Sequence, residues 1–174
     1  NVIELLSKNK IPSFYFDGQV SALEDYLEMR PQNREIIESL IRHKKLFIGP
    51  FYCLVDEFLT DKTCFAKNLE IGIKTAKKYG CKDFIGYLAD TFGHSKAVSY
   101  ILKSHHINKA CMWRGLGNYN ADLIWEGINL TYLVQGYFQN FLNANISIEK
   151  KAELLKKYID KISIKSGNNI LLPI

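Results

Sequence analysis

Short β-rich runs alternate with helix-like runs along this 174-residue chain, which predicts an α/β fold of βαβ units with a mostly parallel sheet. Two further observations agree. Hydrophobic residues are 47% and charged residues 24%, a globular composition with enough apolar chain for a core. The helix-like runs each carry one apolar face, while the runs between them are too short and too β-rich to be helices. An open doubly wound sheet and part of a barrel are not separable at this level.

The elements follow in order. Val2, Ile3, Leu5 and Leu6 open the chain in an amphipathic pattern. Ser13-Phe14-Tyr15-Phe16 reads as a strand. Helices over residues 20–29 and 34–44 come next, split at Pro31, because the residue before a proline is pushed out of the helical region. Residues 46–55 are apolar and β-rich but broken by Gly49-Pro50. Residues 65–79 predict a helix with Leu69, Ile73 and Ala76 on one face and Gly80 as its stop. Residues 84–89 predict a strand, 97–104 a helix and 109–113 another strand. Residues 123–126 and 129–134 predict one or two more strands. Residues 148–162 form an amphipathic helix with Ile148, Ala152, Leu155 and Ile159 in register, and 170–173 a last strand. The strand signals add up to about five or six.

Several function classes are disfavoured. The net charge of +5 allows nucleic acid, but the lysines come as scattered pairs (Lys44/Lys45, Lys77/Lys78, Lys150/Lys151, Lys156/Lys157), mostly beside acids on helices. They read as solvated helix faces, so no nucleic-acid partner is expected. No apolar run approaches the ~20 residues of a membrane helix, and no basic stretch leads into an apolar leader. The expectation is no membrane partner and a cytoplasmic location. None of the four cysteines forms a CxxC pair, which suits reduced thiols, with Cys53 and Cys111 in the core. GxGxxG, GxxxxGK[ST] and G-x-S-x-G loops are missing. The chain opens inside an amphipathic pattern at Asn1 and ends on the apolar run Ile170-Leu171-Leu172-Pro173-Ile174, so a piece of one larger domain is expected.

Functional residues of α/β folds lie just past the C-terminal ends of strands. Those positions here hold Asp17, then Asp56 and Glu57, then Asp90, then Arg114. Phe16, Tyr52, Tyr87, Phe92 and Trp113 crowd the same rim. Carboxylates with an arginine and aromatic walls suit a sugar: carboxylates bind hydroxyls or act as nucleophile or acid/base, and aromatic faces stack on pyranose C–H faces. Asp17 and Asp56 are read equally well as turn or capping residues, and Asp90 has the same alternative. The most informative tract runs from Gly86 through Asp90-Thr91-Phe92-Gly93-His94. Asp90 and His94 could both face a metal, but zinc needs three or four protein ligands. His43, His105 and His106 end helices, where a cation needs no other role.

Phe16-Asp17-Gly18-Gln19, Leu23-Glu24-Asp25-Tyr26-Leu27-Glu28, Arg30-Pro31, Ile48-Gly49-Pro50-Phe51-Tyr52, Asp56-Glu57, Asn68-Leu69, Gly86-Tyr87, Asp90-Thr91-Phe92-Gly93-His94 and Trp113-Arg114-Gly115 occur in one order. That ordered set resembles the N-terminal catalytic domain of glycoside hydrolase family 38, the zinc-dependent α-mannosidases, and above all its bacterial mannosylglycerate-hydrolase-like branch. The resemblance implies an incomplete seven-stranded α/β barrel with mostly parallel strands, residues 1–174 being part of one N-terminal catalytic domain. It implies a retaining mechanism in which Asp90 is both nucleophile and zinc ligand, and Arg114 orients Asp90 or contacts the sugar. His94 supports the site without binding the ion. One zinc ion is the implied cofactor and an α-mannoside the implied substrate. The family's first-strand H-x-D ligands, its acid/base Asp and its remaining His ligand are expected outside this stretch, which alone should be inactive. Lys67 departs from the family's usual Arg before Asn-Leu.

Two other readings stand beside it. A non-catalytic carbohydrate-binding module would use the same aromatics and acids without needing Asp90 as a nucleophile. A basic nucleic-acid-binding domain has only the +5 charge in its favour. Homo-oligomer formation stays open, since an incomplete barrel would present apolar edges.

Overall fold

A computed structural model describes residues 2–112, 114, 122–132 and 145–166. Its elements are α1 (Val2–Ser7), β1 (Phe14–Tyr15), α2 (Ser21–Met29), a 3-10 turn (Pro31–Asn33), α3 (Arg34–Arg42), β2 (Leu46–Phe47), α4 (Lys62–Lys78) and β3 (Gly86–Leu88). They continue with α5 (Lys96–Ser104), β4 (Lys109–Met112), β5 (Asp122–Trp125), β6 (Ile128–Tyr132) and α6 (Ile148–Ser166). The expected strand over 170–173 lies outside the described residues.

The six described strands form two sheets, one of β1 and β2 and one in the order β3-β4-β6-β5. β1–β2, β3–β4 and β4–β6 pair in parallel, and β5–β6 is an antiparallel hairpin. The architecture is therefore mixed α/β with mostly parallel pairing. The hairpin turns at Glu126 (φ 48°) and Gly127 (φ 83°), the two successive left-handed residues of a tight two-residue turn.

α2 to α5 each bury an apolar face, whereas among the described side chains of α6 none is buried: Leu155 and Ile159 are half-buried and Ile148 is exposed. α4 buries Phe65, Leu69, Gly72, Ile73 and Ala76, spaced by the helical repeat. It starts three residues earlier than its apolar pattern, because Asp61 caps it by accepting from the Thr63 N–H at 2.8 Å. It stops at Gly80, whose φ of 95° suits a residue without Cβ. The apolar run 46–55 yields only a two-residue strand. Beyond a cis Gly49–Pro50 bond, the chain turns across α4 and is held by Asn68. The Asn68 amide oxygen accepts from the Tyr52 and Cys53 N–H groups at 2.9 and 3.1 Å, and its NH2 donates to the Cys53 carbonyl at 2.7 Å. Cys53 is consequently exposed, a correction to the core position expected for it, whereas Cys111 is buried. Burial pushes the Cys111 thiol up to about 11.

Two apolar clusters make the core. One joins α1, α2, α3 and β2 through Leu6, Leu23, Ile37 and Leu46. The other lies between α4, α5 and the larger sheet and includes Phe65, Leu69, Leu102 and Met112. Phe84 packs against both. The sheets also meet directly, with the Tyr15 and Tyr87 rings 5.2 Å apart. The Tyr15 hydroxyl donates to the Gly49 carbonyl at 2.7 Å, and its burial raises its pKa.

Candidate active site

The register of β3 on β4 decides which side chains meet. Leu88 pairs with Met112, so Asp90 and Arg114, each two residues further on, leave neighbouring strands side by side. Gly86 permits this close packing, since a Cβ there would lie 2.8 Å from Leu102 and 3.1 Å from Ala110. The Arg114 N–H donates to the Ala89 carbonyl at 3.2 Å. Its Nε–H donates to Asp90 Oδ1, forming an ion pair. Its guanidinium carbon stands 5.3 Å from the centre of the Phe92 ring. The Asp90 side chain is 61% exposed, so the pair is open to a ligand. It borders a cavity of about 300 Å³ lined by Phe51, Val55, Asp56, Tyr87, Asp90 and Phe92 among others.

Behind this pair lies a second polar cluster, and it is buried. The side chains of Glu57 and His94 are 0% and 3% exposed. Glu57 Oε1 stands 2.8 Å from His94 Nδ1, and Oε2 accepts from the Ser95 N–H at 2.7 Å. His94 Nε2 stands 2.6 Å from the Arg114 carbonyl. Ser95 itself caps α5 by accepting from the Ala97 N–H. Asp56 accepts from Phe58 N–H at 3.0 Å and from Phe92 N–H at 3.4 Å. Adjacent acids of one loop thus fasten the loop that follows β3.

The expected rim residues separate into two groups. Asp90, Arg114, Asp56, Tyr87 and Phe92 gather at the cavity. Asp17 sits in a turn at φ 45° and accepts from Gln19 at 3.3 Å, the turn role that its sequence equally supports. Phe16 and Tyr52 pack against the first apolar cluster. Trp113 lies outside the described residues. Glu57, read from sequence as one more rim acid, is instead buried behind the rim. In sequence, two adjacent acids past a strand do not reveal which one turns inward.

A zinc ion needs three or four protein ligands. Among the described residues no group of three or more His, Cys, Asp or Glu side chains is arranged to hold an ion. Asp90 could lend one oxygen. Both His94 nitrogens are engaged, one with Glu57 and one with the Arg114 carbonyl. The described residues therefore do not fit a zinc shell by themselves.

An arginine-paired carboxylate stands at the C-terminal ends of parallel strands beside an aromatic-walled cavity in a mixed α/β protein, the place where α/β folds carry candidate ligand sites. Comparison with known proteins carries this further. The model of the glycosyl hydrolases family 38 N-terminal domain matches residues 1–174, and the chain belongs to that family. It is 40% identical over 129 residues to a protein named "Putative mannosylglycerate hydrolase" from Halalkalibacterium halodurans, a match covering 66% of this chain and 14% of that protein. It resembles the crystal structure of an alpha-mannosidase from Enterococcus faecalis with a TM-score of 0.88 and 27% identity, over 99% of this chain and 21% of the other. A second family 38 protein from Enterococcus faecalis gives 0.76 and 26%, over 99% and 20%. A 4-alpha-glucanotransferase from Thermococcus litoralis shares the fold alone, at 0.61 and 17% over 88% and 26%. The chain thus spans well under a third of the length of each of these relatives. Among the described residues no helix is long and apolar enough to cross a membrane.

Proposed function

We propose that the whole protein is a retaining α-mannosidase and that residues 1–174 are part of its catalytic barrel. The observation that carries this is the exposed Asp90 carboxylate, held by Arg114 at the edge of the cavity. Arg114 holds Oδ1 of this exposed carboxylate, and we assign the attack on the sugar to Oδ2. In the first step Oδ2 forms a bond to the anomeric carbon as the bond from that carbon to the leaving oxygen breaks. The leaving alcohol takes a proton from an acid that we assign to residues outside those described. Water then breaks the glycosyl-Asp90 ester and restores the carboxylate. Tyr87 and Phe92 offer apolar faces for the sugar ring.

Zinc dependence, closure into a seven-stranded barrel and an α-mannoside substrate are parts of the same proposal. The ion would take one ligand from Asp90 and the rest from residues outside those described. Residues 1–174 alone are expected to be inactive, for want of a proton donor and a metal shell. Four unpaired cysteines fit a reducing, cytoplasmic setting.

The test is hydrolysis of an aryl α-mannoside and of mannosylglycerate by the whole protein. Wild type and Asp90→Asn would be compared with and without a chelator. The expected result is a rate abolished by chelation, restored by zinc, and lowered about 10³-fold or more by the substitution. A rate indifferent to Asp90→Asn would remove Asp90 from the chemistry. Mannoside binding without hydrolysis, intact in Asp90→Asn, would favour a carbohydrate-binding module instead.

A further inference from the structure

We infer that Glu57 and His94 are positioning residues that fix the Arg114 backbone and, through it, the orientation of Asp90. The inference rests on the proposed role of Asp90 and extends it to two side chains that touch no substrate.

The two peptide groups that flank the Arg114 Cα are both held. The Arg114 N–H donates to the Ala89 carbonyl, one residue before Asp90, and the Arg114 carbonyl faces His94 Nε2 at 2.6 Å. A carbonyl only accepts, so Nε2 must carry a hydrogen. Glu57 fixes the other end of the ring, its Oε1 standing 2.8 Å from Nδ1. The other Glu57 oxygen is fixed by the Ser95 N–H at 2.7 Å, at the start of α5. The imidazole also packs edge-on against Trp125, ring centres 6.2 Å apart. Its two hydrogen bonds and this ring contact leave the imidazole little freedom to turn. A buried carboxylate and imidazole are costly to desolvate, and an apolar pair would fill the same volume. What the polar pair adds is an oriented donor aimed at one carbonyl of a residue in the active site.

The chain from Glu57 to His94 to the Arg114 carbonyl thus links the loop after β2 to the two strands whose ends form the Asp90–Arg114 pair. Without the His94 donor, the Arg114 carbonyl would be left to solvent or a new partner. With one of its two backbone anchors lost, the Arg114 Cα would shift, carrying Nε away from Asp90. The expected loss is in turnover rather than in sugar binding, because the site would remain open but misaligned.

The test uses the whole protein and two variants that each keep one ring-nitrogen position. In His94→Gln the amide nitrogen overlays Nε2 and can still donate to the Arg114 carbonyl. In His94→Asn it overlays Nδ1 and cannot reach. Crystal structures of both are compared with mannoside kinetics. The expected result is that the Arg114 Nε to Asp90 contact persists in His94→Gln and is displaced in His94→Asn. Asn should lower kcat about 10- to 100-fold with KM within about threefold, and Gln should recover most of that loss. An undisplaced pair in the Asn variant, or equal losses in both, would overturn the inference. If His94→Asn does not fold, Glu57→Gln decides. Its amide can donate to Nδ1 and accept from Ser95, so turnover should fall less than about tenfold. A hundredfold fall there would mean that the charge matters and not the position. If the wild type hydrolyses no mannoside, the proposed activity fails, while the two crystal structures still decide whether His94 orients Arg114.

Discussion

Gly72 lies in the middle of α4, where propensity alone would favour alanine by about 1 kcal/mol. The packing reverses that preference. A Cβ at this position would lie 2.2 Å from the Pro50 carbonyl oxygen and from Phe51 C, and 2.3 Å from Tyr52 N. All three are backbone atoms of the segment that Asn68 holds, so none can swing aside. Gly72→Ala is therefore expected to destabilise by about 3 kcal/mol, the upper end of overpacking costs, and denaturant unfolding measures it. A neutral or stabilising result would mean that the turn after Pro50 yields easily. At this scale the sequence was legible in part. Asp90 and Arg114 stood out as polar residues just past apolar strands, and the β3–β4 register brings them together. Glu57 reads in sequence as one more rim acid, because burial depends on which way the loop turns. Gly72 gave no signal, since a mid-helix glycine looks the same whether it is tolerated or required.

Among elements, α6 shows how local charge can support a helix. Glu153 accepts from Lys150 at 2.9 Å and from Lys157 at 2.7 Å, three residues before it and four after. These partners lower its pKa from the ordinary 4.5 to about 2. A carboxyl depressed in the folded state adds stability that is present in full above 4.5 and is lost as pH falls toward about 2. The pairs are exposed, so salt should screen them. The Glu153 carboxyl is expected to titrate near 2 at low salt by NMR. Lys150→Gln with Lys157→Gln, or high salt, should move it back toward 4.5. An ordinary titration at low salt would mean that these side chains do not hold their pairs in solution. Element types were largely readable, because helix faces and apolar strands follow fixed periods. The hairpin of β5 and β6 was harder. Its Glu126-Gly127 turn lacks the Asn-Gly or Asp-Gly dipeptide that marks such turns most strongly. The start of α4 is hidden for a similar reason: Asp61 precedes the apolar period and acts through one hydrogen bond.

In the whole molecule, strand order is the feature that the sequence hid. Among the described strands, β6 pairs with β4 and β5 lies outside it, although β5 comes first along the chain, and local periodicity carries no record of that choice. The order matters because it makes the larger sheet the wall of one apolar cluster, while β2 contributes to the other. Phe84, the Tyr15–Tyr87 contact and the backbone of residues 50–52 against α4 join the two. If these joints are tight, the clusters should unfold as one unit. Leu102→Ala tests this, since Leu102 is 0% exposed and belongs to the second cluster alone. A cavity there should cost about 3 kcal/mol. The backbone amides of Phe14 and Phe16, bonded to Lys45 and Phe47 in the smaller sheet, report on the first cluster. The Asn129 amide, bonded to Asn108, reports on the second. With one cooperative unit, hydrogen exchange at all three should accelerate about 100-fold. Acceleration confined to Asn129 would mean that the larger sheet opens by itself. The pair Asp90–Arg114 would then ride on a part of the molecule that moves independently of β1 and β2.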